Sequence, residues 1–161
     1  MATGDGRRQA AFTRIRDQLA GLLAATPAPV AHRATAAAIL HHKVPDVSWT
    51  GFYMLRDGEL VVDVYQGPVA CLVLAAHTGV CWAAVDRGET VVVPDVHDFP
   101  GHIACDSRSR AEIVVPLHGP DGRVHGVLDV DSRTPNRFDD VDRAGYEQIV
   151  RLLEERWARG G

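Results

Sequence analysis

The chain carries three cysteines, Cys71, Cys81 and Cys105. None belongs to a C-x-x-C pair, so the spacing excludes both a thioredoxin-type redox motif and a zinc knuckle. A cysteine is most often a small buried hydrophobe, and its surroundings decide whether it reacts. Cys71 opens the apolar run Cys71-Leu72-Val73-Leu74, where a core role is natural. Cys81 falls in the first turn of a short helix expected from Thr78 to Arg87. A helix N-terminus stabilises a thiolate, so spacing alone nominates Cys81 as the reactive thiol. Cys105 lies in an unpatterned segment between His102 and Ser107, and accessible thiols with such neighbours also react. His97, His102 and Cys105 form an H-x4-H-x2-C array. It matches no defensible zinc spacing and lacks a fourth ligand, so the histidines read as loop hydrogen-bonders or thiol-activating bases.

The acids make a second constellation. Asp129 and Asp131 stand two apart on an expected strand, so they share one face while Leu128 and Val130 take the other. Glu112 opens the partner strand of the same hairpin. Three carboxylates near one end of a sheet repel one another, and at least one should titrate above its ordinary range. They form either a set of solvated turn residues or a pocket for a substrate cation with a protonated acid able to donate to a substrate oxygen. Trp49 and Tyr53 are four apart on another strand and also share a face, either in the core or as walls of a pocket for a thioether or sulfoxide.

The elements that must position these groups follow from periodicity. Phe12, Ile15, Leu19, Leu22 and Leu23 step by three and four, which predicts an amphipathic helix over about residues 6 to 25, stopped by Pro27 and Pro29. Residues 32 to 43 read as a second helix ending before Pro45. Ser48 to Leu55 and Leu60 to Tyr65 are strands joined by Arg56-Asp57-Gly58-Glu59, a type I′ hairpin signal. Ala70 to Leu74 reads as a third strand. Thr78 N-caps the short helix and Gly88 stops it. Thr90 to Val93 is a brief strand that Pro94 confines to an edge or an end. Asp95 to Arg110 has almost no periodicity; flanked by strong strands, so long a loop reads as functional. Glu112 to Leu117 and Arg123 to Val130 form a second hairpin. Asp139 opens a terminal helix whose apolar stripe is Tyr146, Ile149, Val150, Leu153 and Trp157. Strands grouped in hairpins with helices against them predict an α+β class with a mainly antiparallel sheet.

The 161 residues make one domain, 1–161, and a chain near this length buries roughly 68–70% of its unfolded surface without staples. Hydrophobic residues at 46% and charged residues at 24% exclude overall disorder. The net charge is −4, so nucleic acid and an anionic membrane are poor partners. No apolar stretch is long enough to span a membrane, and the N-terminus has no apolar stretch preceding its charges, so no secretory signal is expected. Three thiols at low density suit a reducing, cytoplasmic location.

The stretch Val93-Pro94-Asp95-Val96-His97-Asp98-Phe99-Pro100-Gly101-His102-Ile103-Ala104-Cys105-Asp106-Ser107 closely resembles the free methionine-(R)-sulfoxide reductases, small GAF-domain enzymes. The resemblance extends through Glu112-Ile113-Val114-Val115-Pro116-Leu117, Gly126-Val127-Leu128-Asp129-Val130-Asp131-Ser132 and Arg137-Phe138-Asp139-Asp140, and upstream through Trp49-Thr50-Gly51-Phe52-Tyr53 and Gly79-Val80-Cys81. It covers about residues 45 to 150. It implies a single GAF-like domain enclosing a small-ligand pocket. It implies that Cys105 is the nucleophile, Cys71 the usual resolving cysteine and Cys81 a third thiol able to form disulfides. It places the substrate against Trp49, Glu112, Asp129 and Asp131; Tyr53 joins these as a wall on its spacing from Trp49 alone. The implied reaction reduces free L-methionine-(R)-S-oxide through a Cys105 sulfenic acid and an intramolecular disulfide, which a thioredoxin-like dithiol reduces. No metal or organic cofactor is expected. The first helix is a candidate homodimer interface. The rival reading is a sensing module for a cyclic nucleotide or a chromophore, for which Asn136-Arg137-Phe138-Asp139 offers a faint motif.

Overall fold

The computed structural model describes residues 1, 3–102 and 105–160, so Ile103 and Ala104 of the loop motif lie outside the described residues. In chain order the elements are helices α1 (Gly4–Leu23) and α2 (Pro29–Lys43), then strands β1 (Trp49–Arg56), β2 (Glu59–Gln66) and β3 (Val73–Leu74). Helix α3 (Gly79–Arg87), strand β4 (Val91–Val93) and a 3-10 turn at Val96–Asp98 follow. Strands β5 (Ala111–His118) and β6 (Val124–Ser132) and helix α4 (Asp140–Gly160) complete the chain. The six strands form one sheet in the order β3-β2-β1-β6-β5-β4, and every neighbouring pair is antiparallel. Among the described residues, no helix is long and apolar enough to cross a membrane.

Both hairpins form where alternation and turn chemistry place them. Asp57 and Gly58 have φ of 50° and 81°, the two positive values a type I′ turn demands. Strand alternation then sorts the sheet into two faces. Phe52, Met54, Ile113, Val115, Leu117, Leu128 and Val130 point to one side and pack against α1, α2 and α4. Trp49, Tyr53, Val114 and Val127 point to the other side, where α3 and the irregular segments lie.

Strand β2 interrupts its alternation. The β1–β2 register runs Gly51↔Tyr65 and then Tyr53↔Val62, so two residues of β2 oppose one of β1. This bulge turns Val64 and Asp63 towards the helices, where Asp63 accepts from Arg33 of α2 at 2.6 Å. It also returns Tyr65 to the opposite face, where its ring stacks on Trp49 at 5.2 Å.

Helix α4 begins at the expected acid. The amides of Val141 and Asp142 donate to Asp139 Oδ1, and the Asp139 amide donates to Asp142 Oδ2 at 3.0 Å, a reciprocal capping box. The buried Asp142 carboxylate also receives Arg8 of α1 and Arg137, each at 3.2 Å, tying the first helix to the last. The apolar stripe of α1 is used in this packing: Phe12, Ile15, Leu19 and Leu23 are buried, while Leu22 is exposed.

Three expectations change. The strand expected over Ala70 to Leu74 shrinks to Val73–Leu74, at the outer edge of the sheet. Leu72 is 70% exposed and Val73 47%, while Ala70 and Leu74 pack against the Trp82 side, so the run around Cys71 is not core. Thr78 sits at the start of α3, but its hydroxyl donates to the Ala75 carbonyl at 2.9 Å and provides no side-chain cap. The long loop is not wholly irregular, since Asp95 caps the 3-10 turn at Val96–Asp98.

Gly51 tests the second face directly. A Cβ at this position would collide with the Tyr65 Cβ and come within 2.6 Å of the Trp49 ring. Gly51→Ala should therefore cost about 1–3 kcal/mol in urea unfolding, the usual range for overpacking, through displacement of the Trp49–Tyr65 stack. An unchanged midpoint and unchanged tryptophan fluorescence would show that the stack does not depend on this glycine.

Candidate active site

One cavity of about 220 Å³ opens on the face away from α1, α2 and α4. Its floor is made by three paired strands. Trp49 of β1 stands opposite Asp131 of β6, which stands opposite Glu112 of β5. In the neighbouring row Gly51 stands opposite Asp129, which stands opposite Val114. All three acids therefore project from the same face into the same space, and Gly51 adds no side chain beside Asp129. Helix α3 covers one side with Val80 and Cys81, and Trp49 and Tyr53 stack at 5.8 Å on another.

The alternative of solvated turn acids is overturned. Strand β6 continues to Ser132, and Glu112 and Asp129 are only 5% and 6% exposed. Burial pushes the Glu112 carboxyl well above its ordinary range, and the nearby Asp129 and Asp131 push it further. Asp131 is likewise raised well above its ordinary range, first by burial and then by Asp129 and Asp106. Asp129 is also raised by burial, to about 6, but hydrogen bonds from Glu112 and Cys81 hold it back. Asp129 is thus the acid that ionises most readily, with Glu112 and Asp131 holding protons beside it. Its Oδ1 is buried and has no hydrogen-bond partner.

Cys81 does not behave as its place on α3 suggests. Its thiol is pushed well above the ordinary cysteine value, by burial first and then by Asp129, Glu112 and Asp131. The weak positive end of a nine-residue helix is outweighed by burial among acids. Cys81 is a neutral thiol, with its Sγ 3.9 Å from Glu112 Oε1. The nomination of Cys81 as a ready thiolate is therefore corrected.

Cys71 and Cys105 meet across the mouth of the cavity, joined in a disulfide with Cα atoms 5.6 Å apart. Cys71 rides on a strap from Gly67 to Thr78, which crosses the site without forming much sheet. Backbone carbonyls hold the strap down. Trp49 Nε1 donates to Pro68, Tyr53 Oη to Cys71 and the Val62 amide to Leu72, at 3.2, 3.0 and 2.9 Å. Trp82 Nε1 donates to the Leu74 carbonyl at 3.4 Å, and His77 stacks on the Trp82 ring. Burial keeps the Tyr53 phenol protonated and hence a donor. Cys105 is exposed, in a loop whose ends are pinned: Arg110 holds Asp95 at 2.7 Å, and the Arg110 amide donates to Ser132 at 2.8 Å.

The H-x4-H-x2-C array does not converge. His97 is exposed and pairs with Asp95 at 3.0 Å, whereas His102 and Cys105 line the cavity. His102 is held towards its neutral form by burial, and its Nε2 has no partner. Spacing pointed to Trp49, Tyr53, Glu112, Asp129 and Asp131, and the structure brings these together. It did not point to Tyr65, which the bulge returns to the face of Trp49, or to Ser109, which is buried at the cavity wall.

A GAF domain profile matches residues 30–154. The free methionine-R-sulfoxide reductase of Escherichia coli is 42% identical over 134 residues, covering 83% of this chain and 81% of that protein. The X-ray structure of the free methionine-R-sulfoxide reductase from Neisseria meningitidis, in complex with its substrate, superposes with a TM-score of 0.89 at 39% identity. That match covers 99% of this chain and 95% of the other. The reduced form of the Staphylococcus aureus protein gives a TM-score of 0.87, also at 39% identity, covering 91% and 95%. The chain belongs to the GAF-domain family, in the group that contains the free methionine-R-sulfoxide reductases.

Proposed function

We propose that this chain reduces free L-methionine-(R)-S-oxide to L-methionine, with Cys105 as nucleophile and Cys71 as the resolving thiol. One observation carries the reading: a disulfide spans the mouth of a small cavity whose floor holds two buried carboxyl groups, Glu112 and Asp129, with half-buried Asp131 beside them. The names of the similar proteins support the same substrate. The cavity is smaller than the roughly 300–1,000 Å³ of sites for drug-sized ligands, and its acidic floor repels a nucleotide phosphate.

Asp129, Trp49, Tyr53, Glu112 and the two disulfide cysteines each have a task in the cycle. Ionised Asp129, with its free Oδ1, receives the substrate ammonium. A peptide-bound methionine sulfoxide has no such ammonium and would leave that charge buried and unpaired, a penalty of several kcal/mol by order of magnitude. Trp49 and Tyr53 flank the sulfur and its methyl. Protonated Glu112 donates to the sulfoxide oxygen and gives up its proton as negative charge develops there. The Cys105 thiolate attacks sulfur and forms a sulfur–sulfur bond; that bond and the S–O bond then break as the oxygen, carrying the proton from Glu112, passes to the Cys105 sulfur, releasing methionine and leaving a sulfenic acid. The Cys71 thiol then displaces hydroxide from that sulfenic acid, forming the disulfide and one water. A thioredoxin-like dithiol returns both sulfurs to thiols by exchange.

Cysteine variants separate the roles of the thiols in solution. Cys105→Ser should retain less than about a tenth of the rate on free methionine sulfoxide with dithiothreitol, since an alcohol is a far weaker nucleophile. Cys71→Ser should complete one stoichiometric turnover and then recycle slowly with thioredoxin. If Cys81→Ser behaves this way and Cys71→Ser does not, Cys71 is not the resolving thiol.

Asp129→Asn and Asp131→Asn should each lower kcat/KM for the free R epimer by roughly a hundredfold, about 2.7 kcal/mol. The S epimer and peptide-bound sulfoxide should remain poor substrates throughout. Equal rates on both epimers, or indifference to both substitutions, would remove the acidic floor from the substrate site.

The acids also set a pH dependence. A carboxyl raised in the folded state costs stability above its folded value and none below its unfolded value. For Asp129 the window runs from about 6 down to the ordinary carboxylate value of 3.8. As pH falls from 7 to 5, the ligand-free protein should therefore gain stability from this cluster. Half-buried acids whose values are lowered by arginine partners, such as Asp95 and Asp106, oppose this only below their ordinary range. The added stability from methionine sulfoxide should shrink over the same interval, because the ammonium needs ionised Asp129. Melting temperatures of the disulfide form at pH 5 and 7, with and without ligand, measure both effects. A ligand increment that is constant with pH would disconnect Asp129 from the ammonium.

A further inference from the structure

Cys81 has no step in the cycle above, yet it is 5% exposed at the bottom of the reactive cavity with two acids beside it. Its Sγ and one carboxylate oxygen each from Glu112 and Asp129 all lie within 4.8 Å of one another. The Sγ–Glu112 Oε1 distance is 3.9 Å. In a tetrahedral zinc site, with bonds of about 2.3 Å to sulfur and 2.0–2.2 Å to oxygen, neighbouring ligand atoms are roughly 3.5 Å apart. The three donors therefore need to close by only about an ångström to reach that geometry. A second feature points into the same space: Asp129 Oδ1 is buried and unpartnered, and Asp129 as a whole is 6% exposed. A buried acceptor with nothing to accept from leaves room for a positive ligand.

We propose that Cys81, Glu112 and Asp129 form a binding site for a thiophilic divalent cation, Zn²⁺ or Cd²⁺. Sulfur with two carboxylates favours such ions over Mg²⁺ or Ca²⁺, which take oxygen ligands alone. On binding, the ion forms one bond to sulfur and one to each carboxylate. The thiol proton and any carboxyl proton leave to water, with no change of oxidation state. The fourth position faces the cavity and takes water. The site survives oxidation, because Cys71 and Cys105 are consumed in their disulfide while Cys81 stays a free thiol. Resting on the substrate reading above, the ion occupies the place of the substrate ammonium, and the two exclude each other.

The test uses the full chain in its disulfide form without added reductant, after a thiol count of one per chain. In that state Cys81 is the sole thiol that can ligate. Titration with Cd²⁺ should produce a thiolate-to-cadmium ultraviolet charge-transfer band that saturates at one ion per chain. Asp129→Asn should weaken Cd²⁺ binding at least tenfold, and Cys81→Ser should abolish the band. The absence of a band in the unmodified protein, or a band indifferent to Asp129→Asn, overturns the site. Saturating methionine sulfoxide should raise the apparent Cd²⁺ dissociation constant at least tenfold. If the band forms and depends on Asp129 but methionine sulfoxide does not displace the ion, the cation site stands and the placement of the ammonium falls.

Discussion

Three carboxyl groups that share one face of the sheet and one small cavity are the constraint on which the rest of this molecule depends. The cross-strand register puts Glu112 directly opposite Asp131, and Asp129 one row along the same face. Such an arrangement cannot carry three negative charges, so protons remain on some of the acids at neutral pH. The surroundings reinforce this. Cys81 is held neutral, the Tyr53 phenol is held neutral, and His102 is held towards its uncharged form. The structure provides ion pairs freely elsewhere, as at Asp142 with Arg8 and Arg137, but among the described residues no arginine or lysine lines the cavity. A cation supplied by a ligand meets an acidic floor with no charge partner of its own.

The opposite face of the same strands makes this arrangement tolerable. Ile113 and Val115 alternate with Glu112 and Val114, and Leu128 and Val130 alternate with Asp129 and Asp131. Burial of the aliphatic side chains against α1, α2 and α4 stabilises each strand by roughly 1.5–3 kcal/mol per large side chain. The strands are held by one face while the other carries groups that repel. The capping box at Asp139 and Asp142, tied to Arg8, joins the first and last helices on the stabilising side, away from the chemistry.

Much of this was legible from residue spacing. The hairpins are written in alternating hydrophobics around Asp57-Gly58 and around Gly119-Pro120-Asp121-Gly122, and α4 in its acidic start and apolar stripe. The common face of Asp129 and Asp131 follows from a spacing of two. Other features needed contacts far apart in sequence. Cys81 looked like a thiolate because its helix is local, whereas the acids that raise its pKa lie 31 to 50 residues away. Cys71 looked like a core residue because Leu72 and Val73 are apolar, but at the outer edge of the sheet both of those side chains are exposed. Tyr65 was hidden because one extra residue in β2 reverses the parity of everything after it. The motif around Cys105 was readable only as a resemblance, since its loop has no period to interpret.

The disulfide has a consequence for the rest of the chain. Cys71 and Cys105 are separated by 34 positions, and the segment between them contains α3 and β4, the cover of the cavity and one edge of the sheet. On the chain-entropy account, closing a loop of that length restricts the unfolded chain by the equivalent of about 3–4 kcal/mol. The molecule with this disulfide closed is thereby the more heat-resistant of the two forms. The fully reduced molecule resists unfolding less, so the protein is sturdiest under oxidising conditions, which keep the cover of the cavity tethered to its mouth.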